Sequence, residues 1–262
     1  MQDFIGLAHH LADEARKIIR PYFRTDVDID HKGDESPVTI ADRAVEEHLR
    51  SIIEEKRPED GIIGEEFGIK DSQNQYDWVL DPIDGTKSFI AGRPSFGTLI
   101  ALCENDVPIL GIIDQPILNE RWVGVKGQQT LFSRHAGKPK DAIFNSKPAQ
   151  TRKCSALQNA RLCSTSPNWI PDHWKKLRDQ SDFLIWGGDC YSYGLIATGG
   201  IDAVIETGLS PYDYAALPPI IEGAGGHMCD WNGNPLTTKS DGRVLAMGYI
   251  ALKDQILKIV NS

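Results

Sequence analysis

The sequence predicts a mixed α/β fold, and two observations predict it. The first half reads as two amphipathic helices followed by a run of short strands. The second half alternates strand and helix, which is the rhythm of an α/β unit. A chain of 262 residues is long for one simple core and short for two independent domains. One compact unit of two subdomains follows.

Apolar residues at Phe4, Leu7, Leu11, Ala15, Ile18, Ile19 and Tyr22 step by three and four. That spacing predicts a first helix ending between Pro21 and Thr25. Residues 28–35 are polar and contain Gly33, as at a strand end followed by a loop. Val45, Leu49, Ile52 and Ile53 give one face of a second helix, and Thr39 and Asp42 have capping-box-like spacing at its start. After Pro58, β-like runs fall at Gly61–Ile63, Tyr76–Leu80, Gly97–Cys103, Ile109–Ile113 and Arg121–Val125, and predict an antiparallel sheet.

The stretch Ala136–Lys153, rich in Lys, Pro, Gly and Ala, is the candidate boundary. It separates an N-terminal subdomain (1–140) from a C-terminal one (141–262). Beyond it, strands are predicted at Ala160–Cys163, Phe183–Trp186 and Ala203–Glu206. Helices are predicted at Asp172–Gln180, Tyr191–Thr198, Tyr214–Glu222 and Leu252–Val260.

A formal net charge of −9 argues against nucleic acid or an anionic membrane as partner, since both favour basic patches. No segment approaches the roughly 20 apolar residues that span a bilayer. The start, Met1-Gln2-Asp3-Phe4, lacks the features of a signal peptide. Cys103, Cys154, Cys163, Cys190 and Cys229 are scattered, odd in number and without CxxC spacing. They read as reduced thiols in a cytoplasm.

The chemistry concentrates in Asp81-Pro82-Ile83-Asp84-Gly85-Thr86, directly after the strand-like Trp78-Val79-Leu80. Pro82 suits the second position of a turn, which would set Asp81 and Asp84 at its two ends, close enough to share a metal. Gly85 permits close backbone approach to a ligand. Thr86 would open a helical turn whose N–H groups can hold a phosphate oxygen. An acidic surface turn explains the same residues. Gly64-Glu65-Glu66 also follows a strand, and Pro211-Tyr212-Asp213 precedes a helix, placing Asp213 at or near its N-cap. Each also fits a plainer reading, as a solvated Glu pair or a helix cap.

Together these three motifs, in this order, resemble those of the inositol monophosphatase-like, lithium-sensitive metal phosphatases, and the resemblance covers essentially the whole chain. It implies a five-layered αβαβα sandwich with the metal site between the two subdomains. It implies Glu65, Asp81, Asp84, Asp213 and the Ile83 carbonyl as ligands of two or three Mg²⁺ ions, Mn²⁺ being the other hard cation such oxygens suit. Gly85 and Thr86 would hold phosphate. The catalytic residues would be Thr86, Asp42 and Glu65, with Asp42 accepting a proton from Thr86 and Thr86 from water. Asp42 fits helix capping as well. Lys32-Gly33-Asp34-Glu35-Ser36 resembles the family's mobile loop, but Ser36-Pro37 stands where the family often has Asp two residues before its Val-Thr pair. A homodimer is a further implication.

The substrate signal lies later. Gly187-Gly188-Asp189-Cys190-Tyr191-Ser192-Tyr193-Gly194 and Lys87-Ser88-Phe89 resemble the histidinol-phosphate phosphatase branch. By that resemblance Asp189, Glu206 and Asp213 face the leaving group. Two extra carboxylates would reward an ammonium and an imidazolium through charge-assisted hydrogen bonds. A helix cap is the plainer reading of Asp189, and core packing that of Trp169, Trp174, Trp186 and at least one of Tyr191 and Tyr193. The expected substrate is a small phosphate monoester, histidinol phosphate first. The alternatives are an inositol or sugar phosphate and, in a different class, a non-catalytic binding protein. A bisphosphate nucleotide fits less well, because no basic cluster is evident in the sequence.

Overall fold

The computed structural model describes residues 1–25, 29–31, 37–134, 146–170 and 172–262, with backbone alone for 29–31 and 37–39. The Lys32–Ser36 loop, the Thr39 side chain and the 140/141 boundary lie outside the described residues. Helix α1 (Gln2–Tyr22) is followed by a short antiparallel pair, β1 (Ile29–His31) and β2 (Pro37–Thr39), and then by helix α2 (Ile40–Lys56).

Eight strands form the first sheet: β3 (Gly61–Gly64), β4 (Gly68–Lys70), β5 (Tyr76–Asp84), β6 (Gly97–Glu104), β7 (Val107–Gln115), β8 (Glu120–Val125), β9 (Leu131–Ser133) and β10 (Lys147–Pro148). Their order is β10-β9-β8-β7-β6-β5-β3-β4. Helix α3 (Thr86–Ile90) lies between β5 and β6 in the chain. The second sheet holds β11 (Arg161–Ser164), β12 (Phe183–Trp186), β13 (Ala203–Glu206), β14 (His227–Cys229) and β15 (Val244–Met247), in the order β12-β11-β13-β15-β14. Around it run α4 (Trp174–Gln180), α5 (Asp189–Ala197), α6 (Pro211–Tyr214), α7 (Leu217–Gly223) and α8 (Lys253–Val260).

Three apolar clusters define the layers. Leu11 and Ala15 of α1 and Leu49 and Ile53 of α2 pack on Trp78, Ile100 and Leu110 of the first sheet. The opposite face of that sheet, through Val79, Leu99 and Trp122, meets Tyr193 and Ile196 of α5 and Ile220 and Ile221 of α7. Those helices also meet Val204, Val244 and Ala246 of the second sheet. Leu177 of α4 and Ile256 and Ile259 of α8 close its far side. The sequence αβαβα results. Being covered on both faces explains why β6 is buried along seven of its eight residues rather than alternating.

A buried ion network ties α1 to the first sheet. Arg16 Nε donates to Asp114 Oδ2 at 2.6 Å, and Arg16 Nη2 to Asp114 Oδ1 at 2.8 Å. Arg121 Nε donates to Asp114 Oδ1 at 2.5 Å, and its Nη2 reaches Asp13 Oδ1 at 2.7 Å. Removing one partner of such a buried set costs about 3–5 kcal/mol, because a charge is left without compensation.

The structure differs from the sequence reading in several elements. β3 and β5 run parallel, so the first sheet is mixed. The short strands β2, β4, β9, β10, β14 and β15 had no predicted counterpart. The predicted helix over 214–222 is two helices, α6 and α7: Pro218 and Pro219 lack N–H groups and suit only the first turn of a new helix. β5 continues four residues past Leu80, through the acidic motif. The five cysteines are all free, as their spacing predicts. Among the described residues no helix is long and apolar enough to cross a membrane.

Candidate active site

The acidic motif is the irregular end of a strand rather than a free turn. Asp81 pairs with Leu99 and Asp84 with Gly97, so three steps on β5 oppose two on β6. This is a bulge, and it accommodates Pro82, which has no N–H to give to a ladder. Thr98 Oγ1 donates to the Pro82 carbonyl at 2.8 Å and holds the bulge. Gly85 follows with φ of 87° and caps α3. In the first turn of α3, Thr86 Oγ1 donates to the Ile83 carbonyl at 3.2 Å.

Glu65 stands just past the end of β3, next to β5. Its N–H donates to the Leu80 carbonyl at 3.3 Å, and its carboxyl is close enough to that of Asp81 to raise its pKa. Asp213 comes from the other half of the chain. It is not an N-cap: Ser210 caps α6, and Asp213, three residues on, accepts the Ser210 N–H on Oδ2 at 2.6 Å. One oxygen each from Asp81, Asp84 and Asp213 lie within 4.8 Å of one another.

So many carboxyls in one place resist ionisation. Burial first, then the charges of Glu65, Asp84 and Asp213, hold Asp81 well above the usual carboxylate range. Burial, Asp189 and Asp213 do the same to Asp84, against the pull of donors on Cys190. Asp81 Oδ1 is buried without a hydrogen-bond partner. A convergent set of hard oxygens, like-charged and with one left orphaned, fits a divalent cation that would supply the missing positive charge.

The opposite wall begins at Gly187 and Gly188, with φ of 88° and 111°. Gly188 is the N-cap of α5, and Asp189 is the first helical residue, itself at φ 42°. Asp189 therefore does not cap the helix. Its Oδ2 accepts from Ser88 Oγ at 3.0 Å, across to α3. A Cβ placed on Gly85 would lie 2.7 Å from that oxygen, so glycine is needed there for contact as well as for φ. The Cys190 N–H donates to Asp84 Oδ2, linking α5 to the acidic cluster.

Glu65, Asp84, Gly85, Thr86 and Asp189 line one cavity of about 470 Å³. Asp42, Asp81, Ile83, Asp213 and Glu206, also predicted, are not among the residues that line it. Asp42 is fully buried in the first turn of α2. Glu206 is buried at the end of β13, its Oε1 taking the Thr165 N–H at 2.9 Å and the Thr165 hydroxyl at 2.5 Å, and its Oε2 taking the Tyr193 hydroxyl at 2.7 Å. Burial raises the Glu206 carboxyl to about 7, against those three donors.

Sequence reasoning missed Thr165, Arg93, Cys190 and the lining role of Trp169. Their partners are distant in sequence, and no local spacing marks them. Arg93 and Lys87 give the cavity a basic side that was not evident in the sequence. Trp174 and Trp186 do pack on each other, edge to face with centroids 6.2 Å apart. Tyr193 is likewise a core residue.

Comparison with known proteins agrees with this geometry. The profile of the inositol monophosphatase family matches residues 1–262. The bifunctional phosphatase IMPL2 of Arabidopsis thaliana is 45% identical over 94% of this chain and 69% of its own length. The histidinol-phosphatase of Mycobacterium tuberculosis is 34% identical, over 99% of this chain and 98% of its own. An inositol monophosphatase structure from Zymomonas mobilis superposes with a TM-score of 0.87 at 49% identity, covering 100% of this chain and 98% of the other. With its αβαβα layers and its acidic cluster at the end of β5, the chain belongs to the inositol monophosphatase family.

Proposed function

We propose that this phosphatase hydrolyses L-histidinol phosphate to L-histidinol and phosphate, with Mg²⁺ held by Glu65, Asp81, Asp84, Asp213 and the Ile83 carbonyl. Asp189 is the observation that carries the choice of substrate. Its half-buried carboxylate lines the cavity beside the loop assigned to phosphate. An ammonium or imidazolium gains from such a partner, and a neutral polyol does not need one. The likeness to a histidinol-phosphatase supports the same reading.

When bound, the cations would lower the pKa of a water and stabilise the attacking and leaving oxygens of an in-line displacement. The chain supplies the rest. Gly85 and Thr86 present the amides of α3's first turn to the phosphate. We assign Thr86 to orient the attacking water and Asp42 to take the proton that Thr86 passes on. Asp189 and Asp213 hold the leaving group. Glu206 has its two oxygens engaged, so it acts by fixing Thr165 in the wall. We place the protein in the cytoplasm on its free thiols, and infer a homodimer from its family.

A second reading is favoured by the 49% identity to an inositol monophosphatase and by Lys87 and Arg93 in the cavity. Those cations suit a hydroxyl-rich or more anionic ester. Phosphate release from L-histidinol phosphate and inositol 1-phosphate, each with Mg²⁺ and with EDTA, separates the two. A metal-dependent preference for histidinol phosphate supports the first reading, and a preference for inositol phosphate replaces it with the second. Loss of release in EDTA also distinguishes an enzyme from a binding protein.

A further inference from the structure

We infer that Glu46, outside the acidic cluster, is a positioning residue for the metal centre: its buried carboxylate fixes the turn that presents Glu65. The inference rests on the reading of Glu65 as a metal ligand. Glu46 lies on α2 and is fully buried. Its Oε2 accepts the Glu66 N–H at 2.7 Å, and its Oε1 accepts the Phe67 N–H at 3.1 Å. The two amides that follow Glu65 therefore end on one side chain. Arg50, one turn along α2, donates from Nε to Glu46 Oε1 at 2.8 Å and from Nη2 to the Gly68 carbonyl.

The residue before Glu65 is shaped by the same group. A Cβ on Gly64 would lie 1.9 Å from Glu46 Oε1 and 2.6 Å from Arg50 Nη2. The glycine of the Gly-Glu-Glu motif is thus required by a side chain 18 residues upstream. On its other side Glu65 is tied to β5 through the Leu80 carbonyl, next to Asp81. The backbone of Glu65 is held from both directions.

A carboxylate is a costly way to fill a core, because it must be stripped of water and then fully paired. Here it links two consecutive amides and a guanidinium, which an apolar residue of the same size cannot do. Asp42 precedes Glu46 by one helical turn and is equally buried, so both lie on one face of α2. A single rigid helix then sets the Glu65 turn and the acceptor assigned to Thr86. Groups that orient metal ligands typically cost about 10–100-fold in metal affinity when lost.

The test is calorimetric titration of Mg²⁺ into the substrate-free protein, with melting in EDTA as a check on folding. The proteins are wild type, Glu46→Gln, Arg50→Lys and Glu65→Gln. Glu46→Gln presents an amide N–H₂ to at least one backbone donor, and should weaken Mg²⁺ binding by about 10–100-fold. Arg50→Lys keeps the charge, loses the link to Gly68, and should weaken binding by a smaller factor. If Glu46→Gln melts lower but binds Mg²⁺ as wild type does while Glu65→Gln does not, Glu46 is only structural and the inference fails. If Glu65→Gln itself binds normally, the ligand reading of Glu65 fails and takes the inference with it. Should Glu46→Gln not fold, Arg50→Lys decides: weakened binding supports the role, and unchanged binding overturns it.

Discussion

Asp189 and Glu206 reach the site by different routes, and their substitutions should read differently. A hydrogen bond to a charged group is worth about 1.5–3 kcal/mol, or roughly ten- to a hundredfold in a specificity constant. Asp189→Asn should lower kcat/KM for histidinol phosphate by about that factor relative to inositol 1-phosphate. An unchanged ratio would mean that Asp189 only braces α3 through Ser88. Glu206 should show itself in stability. Its carboxyl sits at about 7 in the fold against 4.5 in an unperturbed chain. The folded protein thus keeps a proton that the unfolded chain has released, and this contribution is full below pH 4.5 and lost as pH rises through about 7. Glu206→Gln keeps an acceptor for Thr165 and a group for Tyr193. In EDTA its melting temperature should fall less than that of wild type across this window, and should be higher than wild type at pH 8. Parallel curves would refute that assignment. The acidic residues themselves were legible in the sequence because Asp81 to Thr86 is contiguous and belongs to a resemblance spanning the chain. The residues that hold them were not: Ser88 meets Asp189 across 101 positions, and Cys190 meets Asp84 across 106.

At the scale of elements, the site depends on short pieces that propensity alone does not explain. α3 has five residues, too few to be stable in isolation. It is held by the β5 bulge before it, by Gly85 at its cap, and by Asp189 above it. Gly85→Ala forces a side chain into a left-handed φ and into the Asp189 carboxylate. A displacement of about 1 Å in such a loop is enough for roughly a hundredfold loss in kcat/KM, and this is the loss expected. Activity within a few-fold of wild type would show that α3 can move without harm. The long elements were legible because burial on one face writes a period into the sequence: α1 and α2 match their predicted faces. β2, β4, β9, β10, β14 and β15 were not, since two to four residues carry too little period. The antiparallel expectation missed the β3–β5 pair because strand direction is set by the connection over β4, not by composition.

For the whole molecule, the layers converge on a cluster of like charges that works against the fold until it is neutralised. The carboxylates of that cluster come from two adjacent layers: Asp81 and Asp84 from the first sheet, and Asp213 from α6, which packs on that sheet. A cation bound there stabilises every layer that must assemble to form the site. At a Mg²⁺ concentration a hundred times its dissociation constant, linkage predicts about 2.7 kcal/mol, or roughly 5–10 °C in Tm. Asp213→Asn should lose most of that increment while melting near wild type in EDTA. An equal Mg²⁺ response in the variant would place the cation elsewhere. The layered fold was foreseen only through family resemblance. Composition and periodicity gave helices and strands but not their stacking, which depends on helices α5 and α7 being apolar on two faces at once.

The ion network under α1 has a consequence for how the chain is made. Arg16 leaves the ribosome 98 residues ahead of Asp114, its buried partner. At about 5–20 residues per second, the first helix waits roughly 5–20 s for the strand that accepts its guanidinium. During that interval α2, β5 and β6 become available to its apolar face, but its arginine has no Asp114 to accept it. The seal of α1 on the first sheet is therefore complete only once β7 has emerged, long after the helix itself is made.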